Sequence, residues 1–95
     1  MSAEVSGIEF DWDAQNTRHL ERHGVTPSEF EQLISADPMY LEYQAQDGEE
    51  RYKVLGATKM GRVLIGIWTP RNGKTRAVTA YAAGRELRDF YWNSK

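Results

Sequence analysis

The sequence predicts an α+β domain: two helices, then a mainly antiparallel sheet of four to five strands, then one terminal helix. Three observations carry that expectation. The spacing of apolar residues changes from helical to alternating at Asp37-Pro38, and this period is the primary signal of element type. The connections in the alternating half are hairpin-length, which joins neighbouring strands antiparallel. A helical pattern returns after Gly84, so helices stand before and after the strands instead of alternating with them.

Ile8-Glu9-Phe10 reads as a short first strand, ended by Asp11-Trp12-Asp13. Either aspartate suits the cap of the next helix, accepting its free N–H groups. That helix is expected over 13–23, with Trp12, Asn16, His19, Leu20 and His23 near one face and Gly24 as the left-handed stop. Thr26-Pro27-Ser28-Glu29 marks a second start: an N-cap, a proline in the first turn and a glutamate that closes a capping box. Phe30, Leu33 and Ile34 form its apolar stripe, and Asp37-Pro38 ends it. Strands follow at 39–43, 51–55, 62–69 and 74–81. Their turns pass through Asp47-Gly48, Lys59-Met60-Gly61 and Asn72-Gly73, the last accepting positive φ at low cost. Segment 62–69 is the most apolar and is the expected central strand. The terminal helix is expected over 84–92, with Leu87, Phe90 and Tyr91 inward.

A chain of 95 residues is enough for one unstapled core. We place a single domain over 8–92, with 1–7 as a flexible lead-in. There is no cysteine, which excludes disulfides and thiolate metal sites and fits a cytoplasmic home. No apolar run approaches the roughly 20 residues of a membrane span, and 1–7 lacks the features of a secretory signal. The glycines are dispersed rather than gathered into a phosphate-cradling loop, so no nucleotide cofactor is expected. His19 and His23, four apart on one helical face, make at most half of a metal site. We expect no metal.

Charge is divided unevenly along the chain. Residues 1–50 hold two basic side chains against twelve acidic ones, and residues 51–95 hold ten basic against two acidic. Basic groups concentrated in the strand-rich half can make a positive face for a polyanion, and the acidic half can meet a basic protein. Arg51, Lys53, Arg62, Lys74 and Arg76 are expected to gather there as one patch.

The order of these elements and their punctuation resembles the BrnT family of ribonuclease toxins, which share the small α+β fold of RelE-type toxins. The matching residues run from Phe10-Asp11-Trp12-Asp13 and Asn16 through Arg22-His23-Gly24-Val25 and Asp37-Pro38. They continue with Gly48-Glu49-Glu50-Arg51-Tyr52, Leu55-Gly56, Gly61-Arg62-Val63-Leu64, Trp68-Thr69, Arg76-Ala77-Val78-Thr79-Ala80 and Tyr91. The chain departs from the family's pattern at Gln15, Tyr81 and Leu87, where lysine, arginine and glutamate are usual.

The resemblance implies a metal-independent endoribonuclease acting on single-stranded RNA and neutralised by a DNA-binding antitoxin of ribbon-helix-helix or helix-turn-helix type. The alternative implied by the departures at Tyr81 and Leu87 is an inactive toxin-fold module that binds protein or nucleic acid. Cleavage without a metal needs a group to take the 2′-hydroxyl proton and cations to hold the charged phosphorane. Arg62 and Arg76 are the expected cations, since a guanidinium matches a pair of phosphate oxygens. Tyr81 and His23 are the expected proton-moving groups. Arg51, Lys53 and Lys74 are expected to track the RNA backbone, and Tyr52 to stack on a base. Trp68 is expected in the core.

Overall fold

Aspartate and asparagine at the start of the first helix form a reciprocal cap. In the computed structural model, which describes residues 7–95, helix α1 (Ala14–Arg22) begins at Asp13. The Asp13 carboxylate accepts the Asn16 N–H at 3.0 Å, and the Asn16 amide oxygen accepts the Asp13 N–H at 2.9 Å. The helix ends as Gly24 enters the left-handed region at φ +73. The Gly24 and Val25 N–H groups return to the carbonyls of Glu21 and Leu20, at 3.0 and 3.1 Å. This is a Schellman closure, completed by contact between two buried side chains, Leu20 and Val25.

Helix α2 (Pro27–Ser35) starts at the expected capping box, with Thr26 and Glu29 exchanging hydrogen bonds of 3.1 and 3.0 Å. Four strands follow: β1 (Met39–Gln46), β2 (Glu49–Ala57), β3 (Val63–Arg71) and β4 (Lys74–Ala82). They form one antiparallel meander in the order β1-β2-β3-β4, and helix α3 (Arg85–Asn93) closes the chain. The expected strand at Ile8-Glu9-Phe10 is corrected to a single parallel bridge between Phe10 and Thr75. The chain must reach its helix cap at Asp13, which leaves length for only one pairing. Of the expected lead-in, residues 1–6 lie outside the described residues.

Strand alternation sends apolar side chains to both sheet faces. Val54, Leu64 and Ala80 pack with Leu20, Phe30 and Leu33 under α1 and α2. Leu55, Val63 and Ile65 pack with Leu87 and Tyr91 under α3. Phe90 is not inward as expected: a helix that buries Leu87 and Tyr91 turns Phe90 to its flank, where it is 50% exposed.

The strands run longer than the apolar pattern suggested. Pairing between β2 and β3 stops at Tyr52–Trp68, while β1–β2 continues to Gln46–Glu49 and β3–β4 to Arg71–Lys74. The two hairpins therefore part beyond Tyr52 and Trp68. Their tips project past the layer covered by the helices, and this is the geometry that makes a groove.

Close approach of α2 to the sheet depends on two glycines. A Cβ on Gly66 would stand 2.6 Å from Leu33 Cδ2 and 3.1 Å from Phe30 Cε1, and one on Gly56 would stand 2.9 Å from Leu33 Cδ1. Leu33 and Phe30 are fully buried, so neither has free space to yield. Gly66→Ala should destabilise the fold by roughly 1–3 kcal/mol, as overpacking typically does. Urea unfolding checks this, and an unchanged midpoint would show that α2 can lift from the sheet without cost.

Candidate functional site

The groove lies between the outward side of α1 and the two parted hairpin tips. It encloses about 1300 Å³ and takes Gln15, Arg18, His19 and Arg22 from α1. The β1–β2 hairpin supplies Tyr43 and Glu49-Glu50-Arg51, and the other hairpin supplies Arg71 and Arg76. Five arginines and a histidine thus face two glutamates. Arg51 Nε pairs with Glu49 at 2.9 Å, and Glu50 accepts the Tyr43 hydroxyl at 3.0 Å. Among the described residues, Arg18, Arg22 and Arg71 make no ion pair, which leaves their charge available to a bound anion.

Arg76 occupies a different environment. Only 9% exposed, it reaches Asp13 at 3.0 Å and Asp11 at 3.6 Å. Beside it, Asn16 is 4% exposed and donates through Nδ2 to the carbonyls of Asp11 (2.9 Å) and Ala77 (3.3 Å). Backbone bonds from Asp11 N–H to Thr75 O and from Thr75 N–H to Glu9 O, at 2.9 and 2.8 Å, complete the junction. These contacts fasten the start of α1 to β4. A bulge in the pairing of β3 with β4 after Ile67 opposes Trp68 to Ala77, skipping Val78, next to this junction. Arg76 is therefore a brace as well as a groove residue, not a solvated strand end.

Arg62 stands elsewhere. Its Nη1 donates to the Gly24 carbonyl at 2.8 Å and to both Glu29 oxygens at 3.0 Å, tying the end of α1 to the start of α2. The antiparallel register explains the separation from Arg76. Arg76 lies opposite Thr69, whereas Arg62 precedes Leu64, the partner of Ala82. The two backbone positions are about 20 Å apart along the sheet at strand rise. Starts of antiparallel neighbours lie at opposite ends.

The other expected residues divide in the same way. Arg51 lines the groove. Tyr52 is half-buried and stacks on Trp68, ring centroids 4.6 Å apart. Lys53 projects to the face of Leu55, and Lys74 sits at the exposed tip of the second hairpin. His23 and Tyr81 meet beyond the C-terminal end of α1, with ring centroids 6.3 Å apart. Tyr81 is packed in the α3-side cluster. The single patch of Arg51, Lys53, Arg62, Lys74 and Arg76 is thus overturned, because they occupy both faces and both ends of the sheet. Trp68 does pack against the α1–α2 core, although its indole N–H has no partner among the described residues.

Arg18, Arg22 and Arg71 escaped sequence reasoning as site residues. A usable signal existed on α1. Gln15, Arg18 and Arg22 recur at helical spacing, offset from the buried pair Asn16 and Leu20. His19 and His23 stand edge to face with centroids 5.3 Å apart. Among the described residues, no group of three metal-ligating side chains assembles around them.

The junction also carries a pH signature. The Arg76 guanidinium, and after it the Asn16 backbone N–H, hold the Asp13 carboxyl below its ordinary range. At Glu29, burial pushes upward but is outweighed by hydrogen bonding from Thr26 and by Arg62. A carboxylate with a depressed folded value stabilises the fold above its unfolded value and loses that contribution as pH falls. Stability should therefore decline below about pH 4. Urea midpoints at pH 7 and pH 3 should differ less for Asp13→Asn than for wild type, Glu29 being common to both. Equal differences would remove Asp13 from the acid response.

A family model for BrnT, the ribonuclease toxin of type II toxin-antitoxin systems, matches residues 12–86. No curated protein matches the chain closely enough to add a relative. The matched span begins at Trp12, beside the Asp13–Arg76 junction, and contains the four strands, α1 and α2. With most of its length inside that match, the chain belongs to the BrnT family of type II toxin-antitoxin ribonuclease toxins.

Proposed function

We propose that this chain draws single-stranded RNA into the groove between α1 and the hairpin tips and cleaves it without a metal ion. The supporting observation is the excess of cationic side chains on one groove, three of them without a carboxylate partner among the described residues. Phosphate neutralisation by arginine releases condensed counterions, so such a groove favours a nucleic acid over a neutral ligand. Cleavage proceeds by attack of the 2′-oxygen on phosphorus, with loss of its proton to a base. The 5′-oxygen leaves with a proton returned from an acid or solvent, giving a 2′,3′-cyclic phosphate and a 5′-hydroxyl. His19 is the imidazole in the groove and takes the role of base. Arg18 and Arg22 flank it and face the developing phosphorane charge, and Arg76 lines the same groove. His23, Tyr81 and Arg62 lie outside the groove lining, and we assign them no direct chemistry.

Membership of a type II toxin family implies an antitoxin partner and an RNA substrate. We take the antitoxin to be a DNA-binding ribbon-helix-helix or helix-turn-helix protein, and the site of action to be the cytoplasm. No helix of the described residues is long and apolar enough to cross a membrane. One observation favours the second reading, an RNA-binding module without catalysis. The Arg76 cation is engaged by two carboxylates, leaving less of its charge for a phosphorane.

His19→Ala should lower the cleavage rate by roughly 10²–10⁴ with binding little changed. Arg71→Ala should reduce the slope of log affinity against log salt by about 0.7, the contribution of one single-strand phosphate contact. Cleavage of an RNA pool by purified protein, with and without EDTA, reads the rates, and a salt titration of RNA binding reads the affinities. Binding without cleavage in every condition would establish the second reading. Cleavage abolished by EDTA would overturn the metal-independent mechanism.

A further inference from the structure

An aromatic row crosses the helix-side face of β1, β2 and β3 and ends at the groove. Tyr52 stacks on Trp68, and Tyr43 and Tyr40 lie against Tyr52 with centroids 5.1 and 6.0 Å away. The inner members cannot receive a ligand ring. Trp68 packs against the core beneath α1 and α2, and Tyr52 is half-buried between Trp68 and the two outer tyrosines. Tyr43 differs in both respects that matter: it is 53% exposed, and it lines the groove that holds the unpaired arginines. Its hydroxyl donates to Glu50 at 3.0 Å, which restrains the ring on a hairpin whose tip, residues 42–51, is exposed.

We infer that Tyr43 is a base-stacking platform: an unpaired nucleobase of the RNA lies on its exposed face while the adjoining phosphates meet the groove arginines. The inference rests on the RNA-binding reading above and adds a subsite to it. Charge complementarity of the adjoining groove selects the occupant, since an aromatic face continuous with a cationic channel matches alternating bases and phosphates. Stacking uses the π-face that every base shares, so the subsite is tolerant of sequence. It is intolerant of duplex, in which both faces of a base are already covered by its neighbours. The expected stacking residue from sequence, Tyr52, supports this platform from behind.

The test uses a short 2′-O-methyl RNA, which cannot be cleaved, carrying a single fluorescent 2-aminopurine at successive positions. Wild type should quench the fluorophore at one position. Tyr43→Leu, which keeps apolar bulk but has no π-face, should lose that quench and weaken binding by roughly 5- to 150-fold. Tyr43→Trp should restore both, which guards against a folding defect as the cause. Tyr40→Ala, on the same row but outside the groove lining, should leave the quench in place. An abasic oligonucleotide should bind wild type and Tyr43→Leu equally, reporting the cationic groove alone. Unchanged quenching in Tyr43→Leu, with salt-dependent binding of the abasic strand intact, would overturn the platform and leave the groove reading standing. Absence of binding by both oligonucleotides would overturn both.

Discussion

Everything functional in this molecule depends on how the start of α1 is fastened to β4. The fastening is polar and buried: Arg76 between Asp13 and Asp11, and Asn16 between the carbonyls of Asp11 and Ala77. An arginine with so little exposure must be compensated where it lies, because removal from water costs a charge more than any single contact returns. The carboxylates that compensate it come from the segment that caps α1. Charge satisfaction and helix initiation are thus one event, and α1 is held against the sheet edge at a defined height. The groove is the space left between that helix and the hairpins that part beyond Tyr52 and Trp68.

The same logic sorts the cations of the protein. Arg76 and Arg62 are held by carboxylates and carbonyls that belong to the fold. Arg18, Arg22 and Arg71 lie exposed without such partners among the described residues. A long exposed side chain adds little to stability through a surface ion pair, so leaving it unpaired costs the fold little and preserves its charge for an anion. The charge division along the sequence does not map onto two surfaces. Arg18 and Arg22 come from the acidic half, and Glu49 and Glu50 from the same half temper the groove they share with Arg51 and Arg71.

Local chemistry was legible in the sequence wherever a few adjacent residues determine it. The Thr26 to Glu29 capping box, the Gly24 stop and the change of period at Asp37-Pro38 each rest on short-range rules, and each stands in the structure. Ile8-Glu9-Phe10 alternates like a strand, yet whether it pairs depends on how far β4 lies from the cap at Asp13, a long-range distance. Which candidate residues stand together was illegible for the same reason. Arg62 and Arg76 begin successive strands, but antiparallel pairing sends strand starts to opposite ends. Arg18 and Arg22 become groove residues only because Asn16 reaches Ala77, sixty-one positions away.

The central claim is that the Asn16 amide and the Arg76 brace hold α1, and with it the cationic wall of the groove, against β4. Leaving buried carbonyl groups without their donor costs roughly 1–3 kcal/mol each. The most direct measurement is amide hydrogen exchange of wild type and Asn16→Ala, residue by residue. The account predicts faster exchange concentrated in Ala14–Arg22 and at Thr75 and Asp11, with β2 and β3 keeping their protection. Uniform acceleration throughout the sheet, or unchanged protection of α1, would contradict it.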